Sequence, residues 1–426
     1  MKTASRSRPT KSRRPARTTA RRAARPTERD IDIDANRRLL NNYRYVEHEA
    51  MVQLAGWLPR AATFELKCEM GRSLWEYSQH VNSLYLRLRE IQSPAFQKPS
   101  DEGLVRLMAG LLHASDEFAY ASGLYRVVIP SLIASLETHE TATFPNSDQP
   151  SVHVIGHVLL DLRAQLRRVE PILRRAERAG QFTARTRAWE RYIRGLLAAC
   201  GGVSGRERRH AAPAGPACRV VFVAPREAAR DGRFTNLFAD QGAMPPEDNY
   251  AEHTVEEFER YSTEMLAAET VALVLFAVRG MPWEFQYDSA RHLYDEVRHC
   301  LMGYEWMRAH AMDPFKSPQY LHIYKWRSQF PPVMQYCMLT MGNEVHAFPY
   351  RHRRVEAHQK SGDQLSEQFV RYDIADETQH VRFGKRWLPE LIKHVGEKRS
   401  LEKYTADVIA VWEREYRTGR LTINVE

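Results

Sequence analysis

Two segments of the sequence, Asp295–His299 and Asp376–His380, share the pattern Asp-Glu-x-x-His. Residues three apart on an α-helix lie on one face, so the glutamate and the histidine of each segment can reach a common ligand. One Glu-x-x-His arises by chance about once in a chain of this length, so a single copy indicates little. The constraint on the fold comes from a further glutamate that precedes each copy at a matching distance.

The first pair of glutamates is centred on a turn. Glu264 precedes Glu296 by 32 residues, and the midpoint between them is Gly280, which Met281 and Pro282 follow. Where two antiparallel helices meet at a turn, residues equally far from it lie at the same height, here about 24 Å away. The spacing therefore predicts a hairpin with Glu264 opposite the first Glu-x-x-His, although Glu264 could instead belong to a solvated helix face.

The second pair has the same arrangement. Glu344 precedes Glu377 by 33 residues, and the midpoint falls at Lys360 and Ser361, beside Gly362. Packing the two hairpins together would gather four carboxylates and two imidazoles in one cavity, and such donors suit iron or manganese better than a thiolate-preferring metal. The predicted metal ligands are Glu264, Glu296, His299, Glu344, Glu377 and His380.

Apolar residues recur with a helical period from Ile31 onward, so the chain is predicted to be all-α. The single strand-like run is 219–223, and Asp363 is a plausible N-cap for the last long helix. Two short turns and one longer crossover, 313–318, match a four-helix bundle. Helices are predicted near 36–57, 63–93, 101–137, 151–178, 183–199, 254–278, 283–309, 325–358 and 364–394.

Composition divides the chain into five predicted regions. A break rich in Gly, Pro, Ala and Arg follows the first set of helices and is interpreted as a linker or wrapping segment. The regions are a disordered Arg-rich tail at 1–30, a helical domain at 31–200, the linker at 201–250, a metal-binding bundle at 251–400 and a C-terminal extension at 401–426.

The second half resembles the ferritin-like di-iron carboxylate family, in which one helix of each hairpin gives Glu and the next gives Glu-x-x-His. The doubled Asp-Glu-x-x-His is also similar to bacterial multicomponent monooxygenases. Arg298 matches the Asp-Glu-x-Arg-His form of that motif, whereas Gln379 departs from it. The resemblance covers about 150 residues. It implies a four-helix bundle that holds two iron ions, with manganese or a mixed manganese–iron centre as alternatives.

The resemblance also implies roles for four neighbouring residues. In the monooxygenases the aspartate before the glutamate accepts a hydrogen bond from a metal-bound histidine, so Asp295 and Asp376 would fix the imidazole tautomers. His292 and Asp373 lie one helical turn before the glutamates of the two motifs. Some ferritin-like N-oxygenases carry an additional ligand at such a position. The alternative is that both residues are polar groups that support the ligands or the core.

Residues 36–178 look like a second, degenerate copy of the ferritin-like bundle. Glu47 or Glu49 precedes the segment Trp75–His80, where the glutamate and the histidine are four apart, so Glu-x-x-His is absent. The helix that should carry the last motif has Arg163, which would repel a cation. We therefore interpret the first half as a structural domain without metal.

The formal net charge of +9 is concentrated in the N-terminal tail. Residues 1–29 contain eleven Lys or Arg and one acid, so the rest of the chain carries −1. Because it lacks apolar periodicity, the tail is predicted to be disordered. The basic pI therefore does not mark the folded body as a nucleic-acid binder, and only the tail offers such a contact.

Five cysteines form no Cys-x-x-Cys pair, which argues against a disulfide framework or a zinc knuckle. Free thiols fit a reducing cytoplasm. The longest apolar run, 270–278, is too short to span a membrane. We therefore expect a cytoplasmic protein without a membrane partner.

Together these features predict a non-haem di-iron oxidoreductase. It would activate O2 to hydroxylate, N-oxygenate or desaturate a small-molecule or carrier-bound substrate. Such an oxygenase needs an electron donor and could act as a homodimer. One alternative is a dimanganese catalase, which uses similar ligands, and the other is a non-enzymatic, iron-sequestering protein that binds DNA through its tail.

Overall fold

Helices form nearly all the regular structure in the computed structural model, which describes residues 31–93, 101–237 and 242–423. The all-α prediction is confirmed, and the predicted disordered tail lies outside the described residues. In chain order the helices are α1 (Ile33–Trp57), α2 (Phe64–Glu90), α3 (Glu102–Leu112), α4 (Glu117–Gly123), α5 (Ile129–Ala142), α6 (Pro145–Arg178), α7 (Ala184–Cys200), α8 (Tyr250–Tyr261), α9 (Met265–Ala277), α10 (Trp283–Ala309), α11 (Leu321–Arg327), α12 (Pro332–Cys337), α13 (Glu344–Ser361), α14 (Gln364–His394) and α15 (Leu401–Glu415).

The described residues also contain one pair of very short strands, and it is not where the sequence indicated. Strand β1 (Thr235–Leu237) pairs in parallel with β2 (Pro318–Tyr320). The expectation of strand character at 219–223 is wrong, because that run has no strand partner among the described residues. Its backbone instead bonds to the end of α3: the Val220 N–H donates to the carbonyl oxygen of His113 at 3.0 Å.

The first half is a bundle built on the α1–α2 hairpin. The Asp32 side chain begins α1 by accepting the Ala35 N–H at 2.7 Å, which satisfies an unpaired helix-start donor. Helix α2 packs on α6, and α6 packs on α5. The Tyr43 hydroxyl of α1 donates to the Ser135 carbonyl of α5 at 3.1 Å. These contacts close a ring of four helices.

The two halves share their largest apolar core. Helix α2 packs against α10, and α1 packs against α9. The approach of α2 to α10 depends on Gly71, because a Cβ there would lie 2.7 Å from the Val297 side chain. Leu74 and Leu293 belong to the same buried cluster. The first half therefore packs against α9 and α10, the helices of the first predicted hairpin. The proposed division into two domains stays a prediction.

The second half is a helical bundle whose two turns lie where the spacing placed them. Gly280, with φ of +98°, joins α9 to α10. Gly362, with φ of +76°, ends α13, as the left-handed conformation at such a position favours glycine. The Asp363 side chain accepts the Ser366 N–H at 3.0 Å, which confirms the predicted N-cap of α14.

Three helices predicted as continuous are broken: 101–137 is interrupted at 113–116, and the other two lie in the second half. The predicted helix 254–278 is split at Ser262 and Thr263, whose hydroxyls bond back to carbonyl oxygens of the preceding turn. The predicted helix 325–358 is split at Pro331 into α11 and a helix that contains a π-helical turn, Met338–Asn343. The break at Ser262 and Thr263 directly precedes Glu264, and the π turn directly precedes Glu344, so sequence periodicity missed features that set the position of the candidate site.

The degenerate motif of the first half forms a closed polar network. His80 Nδ1 lies 2.8 Å from Glu47 Oε1, and His80 Nε2 lies 3.2 Å from Asp161 Oδ2. Because the two carboxylates occupy opposite ring nitrogens, they do not converge on one point, and no group of three donors is found in the described part of this half. Burial alone would lower the pKa of His80, but the Glu47 charge and the bonds to both carboxylates raise it to about 9.

This pKa predicts a pH-dependent contribution to stability. A raised histidine pKa stabilises the folded state fully below the unfolded value near 6.5, and the contribution disappears as pH rises through about 9. The free energy of unfolding should therefore fall by roughly 2 kcal/mol between pH 6.5 and 9.5, and His80→Gln should lose this part of the decline. Urea titrations across that range measure it. His153→Gln, at an exposed position on α6, is the control and should keep the wild-type slope.

One helical stretch among the described residues is apolar and long enough to cross a membrane. It covers Glu117–Ala142, and 72% of its most apolar window is buried inside the protein. Such burial is typical of a core helix in a soluble protein. All five cysteines are free, as expected. The predicted cytoplasmic location stays a prediction.

Candidate metal centre

The six predicted ligands converge inside the second bundle and, with His292, form two donor clusters. Within each cluster one donor atom per residue lies within 4.8 Å of the others. The first donor cluster is Glu264, Glu296, His299 and Glu377, and the second donor cluster is His292, Glu296, Glu344 and His380.

The first donor cluster is arranged around the His299 imidazole. Its Nδ1 atom lies 3.2 Å from Glu264 Oε2, 3.4 Å from Glu296 Oε2 and 4.0 Å from Glu377 Oε1. About a quarter of the Glu264 side chain is exposed, and the other three side chains are almost fully buried. Burial raises the pKa of Glu264 to about 7, so without a cation this carboxyl is partly protonated near neutral pH.

The second donor cluster contains two stacked imidazoles. His292 Nε2 lies 2.9 Å from Glu344 Oε1 and 3.3 Å from Glu296 Oε1. His380 Nδ1 lies 3.5 Å from Glu296 Oε1, and the His292 and His380 ring centroids are 3.9 Å apart. The geometry therefore favours the extra-ligand interpretation of His292 over the supporting one.

Two carboxylates lie between the clusters. Glu296 directs Oε2 to His299 and Oε1 to His380. Glu377 likewise directs Oε1 to His299, and its Oε2 lies 3.8 Å from His380 Nδ1. Each of these two carboxylates therefore has one oxygen near His299 and the other near His380.

Many donor atoms of the two clusters lack hydrogen-bond partners among the described residues, whereas Glu377 Oε1 accepts a hydrogen bond from Arg351. Unpartnered buried carboxylate and imidazole atoms are costly, and so many in one place call for a cation or a proton. The donor set therefore fits two metal ions. The unpartnered atoms are Glu264 Oε2, His292 Nδ1 and Nε2, His299 Nδ1, both Glu344 carboxylate oxygens, Glu377 Oε2 and His380 Nδ1.

The two carboxylate oxygens of Asp373 face different groups, and one of them is paired with Arg351. Asp373 Oδ1 lies 3.5 Å from His299 Nδ1 and has no hydrogen-bond partner among the described residues. Its Oδ2 is paired with the Arg351 guanidinium and accepts the Tyr261 hydroxyl at 2.7 Å. Arg351 Nη2 also lies 3.1 Å from Glu377 Oε1. Asp373 thus offers one oxygen to the first donor cluster while the other is held in place.

The two aspartates of the motifs bond crosswise. Asp376 Oδ2 lies 3.4 Å from His299 Nε2, and Asp295 Oδ2 lies 3.4 Å from His380 Nε2. Each imidazole is therefore supported by the opposite motif. A proton held on Nε2 by an aspartate leaves the lone pair of Nδ1 facing the donor cluster.

Two arginines of α10 keep these aspartates ionised. Arg298 Nη1 lies 2.6 Å from Asp295 Oδ1 and 2.9 Å from Asp376 Oδ2, and Arg291 bonds to both aspartates. Burial alone would raise the pKa of Asp295, but His380 and Arg291 lower it to about 2. The aspartates therefore act as permanent hydrogen-bond acceptors for the imidazoles.

Replacing one aspartate should weaken one metal site more than the other. We expect Asp376→Asn to lower metal affinity at the His299 site by about 10- to 100-fold, because the ring loses its orienting charge. Anaerobic Co2+ titration followed by visible absorption would show one weakened step of two. Asp288→Asn is the control: Asp288 also joins α10 to α14, by accepting the Trp387 indole N–H at 2.7 Å, and lies outside both donor clusters. Equal weakening of both steps would contradict the crosswise assignment.

The π-helical turn before Glu344 is held by the C-terminal extension. The Trp412 indole N–H of α15 donates to Asn343 Oδ1 at 2.9 Å, and a Cβ at Gly342 would lie 3.0 Å from the Trp412 ring. A π turn adds a residue to the helix and rotates the residues after it about the helix axis. This turn therefore sets the direction of Glu344. His346, two residues after Glu344, bonds to the Gly342 carbonyl and packs on Trp412.

A cavity of about 200 Å³ lies against the donor clusters. Four predicted ligands line it, together with the apolar side chains of Leu266, Ile323 and Leu339. A second cavity, of about 320 Å³, shares Glu264 and Arg351 with the first. The four ligands that line the first cavity are Glu264, Glu296, Glu344 and Glu377.

Sequence reasoning missed two arginines of the site. Arg351 lies seven residues after Glu344, two helical turns along the same face, and this spacing could have revealed it. Arg327 lines the cavity from α11. No spacing within a helix could have found Arg327, because its position depends on how the crossover between the hairpins folds.

Comparison of the chain with protein-family models, with curated proteins and with solved structures found no match. The assignment of a function therefore depends on the geometry of the donor clusters and their surroundings.

Proposed function

We propose that this protein is a ferritin-like oxidoreductase that binds two iron ions in the donor clusters and activates O2 to oxidise a small-molecule or carrier-bound substrate. The observation that carries the proposal is the convergence of four glutamates and three histidines, with Glu296 and Glu377 lying between the two clusters. Oxygen and imidazole donors of this kind suit iron and manganese. Two ferrous ions bound there would supply electrons for the reduction of O2.

The connectivity supports the ferritin-like part of the proposal. Two hairpins, α9–α10 and α13–α14, each set a glutamate against a Glu-x-x-His. A longer crossover, which contains α11, joins them. This is the order of elements expected for that class of bundle. By the same argument, the ring formed by α1, α2, α5 and α6 would be its degenerate counterpart.

The protein's own residues would prepare the centre for chemistry. Asp295 and Asp376 hold the protons of the imidazoles on Nε2. Arg351 neutralises Asp373 and touches Glu377, which limits the charge repulsion among the carboxylates. Leu266 and Leu339 exclude water from one side of the cavity, where a substrate could approach the centre.

Anaerobic loading of the full chain with Fe2+, followed by exposure to O2, tests this function. We expect two ions per chain, a coupled dinuclear signal in Mössbauer spectra and O2 consumption. Glu344→Ala should reduce all three, whereas Glu356→Ala, at an exposed position on the same helix, should not. Failure to bind two ions would defeat the proposal.

The alternatives predict different results in the same preparation. Rapid disproportionation of hydrogen peroxide by manganese-loaded protein, without iron-dependent O2 consumption, would indicate a dimanganese catalase. Salt-sensitive DNA binding that is lost on deleting residues 1–29, combined with storage of more than two ions per chain, would indicate the iron-sequestering protein.

A further inference from the structure

Arg327, at the end of α11, is a buried arginine without an ion-pair partner among the described residues. Its side chain lines the cavity beside the donor clusters, and only 3% of the residue is exposed. Its Nη1 donates to the Thr270 hydroxyl at 3.4 Å, and its guanidinium carbon lies 5.4 Å from the centre of the Tyr416 ring. The Nε atom has no hydrogen-bond partner among the described residues. The guanidinium therefore has no carboxylate partner among the described residues and one buried donor atom, Nε, that they leave unused.

Other buried arginines of the second half are paired. Arg351 contacts Asp373 and Glu377, and Arg354 Nε lies 2.9 Å from Glu257 Oε2. Burial of an uncompensated charge is strongly unfavourable, so such a group persists where it has a use. The difference between Arg327 and these arginines points to a partner that comes from outside the chain.

The charges around the centre leave Arg327 without a counter-charge. The charges of two divalent ions would neutralise the four negative charges of the glutamates in the donor clusters. Asp373 is balanced by Arg351, and the two aspartates behind the imidazoles face two arginines of α10. Arg260, which also lines the cavity, pairs with Glu256, so among the described residues one positive charge, on Arg327, then remains at the cavity wall. An anion that enters the cavity would complete the balance.

We propose that Arg327 binds a carboxylate group of the substrate. A guanidinium pairs with a carboxylate through two parallel hydrogen bonds, which fixes the orientation of the ligand as well as its position. Leu266, Ile323 and Leu339 form an apolar part of the cavity wall, which an apolar portion of the ligand would cover. This inference rests on the proposed oxidoreductase function and narrows its substrate to small organic acids whose uncharged part faces the donor clusters.

The test compares benzoate with its neutral amide, benzamide, on the iron-loaded full chain under anaerobic conditions. Isothermal titration calorimetry should show benzoate binding at least about 10-fold more tightly than benzamide. In Arg327→Gln this preference should disappear, and in Arg327→Lys it should be reduced. Lys325→Gln is the matched control, since Lys325 lies two residues away and pairs with Glu227 at the surface. No preference in the wild type, or a preference that Arg327→Gln retains, would overturn the inference.

A second measurement separates a binding role from a structural one. If Arg327 serves to bind a ligand, Arg327→Met removes an uncompensated buried charge and should raise the thermal midpoint of the iron-loaded, substrate-free protein by about 2 °C or more. A lowered midpoint would mean that Arg327 holds the fold together and would overturn the inference.

Metal content, measured in the same samples, distinguishes this inference from the proposed function. Absence of bound metal would defeat the proposed function, whatever benzoate does. Two bound ions without an Arg327-dependent preference for benzoate would defeat only the carboxylate site.

Discussion

Glu296→Ala should abolish binding of both metal ions, whereas Glu264→Ala should abolish binding of only one. Glu296 belongs to both donor clusters and directs one carboxylate oxygen to each of two imidazoles, whereas Glu264 belongs to the first donor cluster alone. Burial would raise the pKa of Glu296, but His292 and His299 hold it well below its usual range. The carboxylate is therefore ionised at neutral pH and available to two cations.

The free energy of unfolding, measured with and without metal, quantifies this difference between the two variants. An ion whose free concentration is 100 times its dissociation constant stabilises the folded state by about 2.7 kcal/mol. Anaerobic Fe2+ at that concentration should therefore raise the free energy of unfolding of the wild type by about 5 kcal/mol. The same Fe2+ should raise the free energy of unfolding of Glu264→Ala by about half as much, and that of Glu296→Ala by almost nothing. Denaturant titrations with and without Fe2+ give these values. Glu284→Ala, exposed on the same helix, should behave as the wild type. One full ion bound to Glu296→Ala would contradict the expectation that both ions need Glu296.

The meeting of the six predicted donors follows from distances along the chain. A helix has a fixed rise per residue, so the turns near Gly280 and Gly362 determine which glutamate faces which motif. That inference needs no knowledge of side-chain packing, and for this reason the turns and the grouping of the side chains could be predicted. Binding of metal by the group stays a prediction.

The details that shape the site could not be predicted in the same way. The break before Glu264 and the π turn before Glu344 interrupt the helical period locally, and both depend on tertiary contacts such as that of Trp412 with Asn343. Arg327 reaches the cavity from a crossover whose course is set by packing. Periodicity describes regular helices, whereas these features exist because neighbouring elements stabilise departures from regularity.

A second large effect is expected where the two halves and the connecting segment meet, at the buried carboxylate of Glu269. Its Oε1 lies 2.5 Å from Lys67 Nζ of α2 and 2.5 Å from Arg230 Nη1 of the segment between the halves, and its Oε2 lies 2.8 Å from Arg230 Nη2. Lys67 Nζ also donates to the Ala229 carbonyl at 2.7 Å. One carboxylate of α9 thus compensates two buried cations.

Glu269→Leu should lower the free energy of unfolding by about 3–5 kcal/mol, because it leaves both cations buried and unpaired. Burial already lowers the pKa of Lys67 to about 8 despite the Glu269 charge. Without that charge Lys67 should lose its proton more readily in the folded state, so the stability of the variant should rise more steeply with pH than that of the wild type. Urea titrations at pH 6 and 9 measure both effects.

Two further variants separate the burial of charge from the mere loss of a contact. Replacing all three groups, as Lys67→Met, Arg230→Met and Glu269→Leu together, should restore most of the stability, because apolar side chains need no counter-charge. Glu65→Ala removes a partly exposed pair between α2 and the same connecting segment, with Glu65 Oε2 2.7 Å from Arg233 Nη2, and should cost less than about 1 kcal/mol. A triple variant as unstable as Glu269→Leu would mean that the ion pairs themselves, and not the compensation of buried charge, hold the halves together.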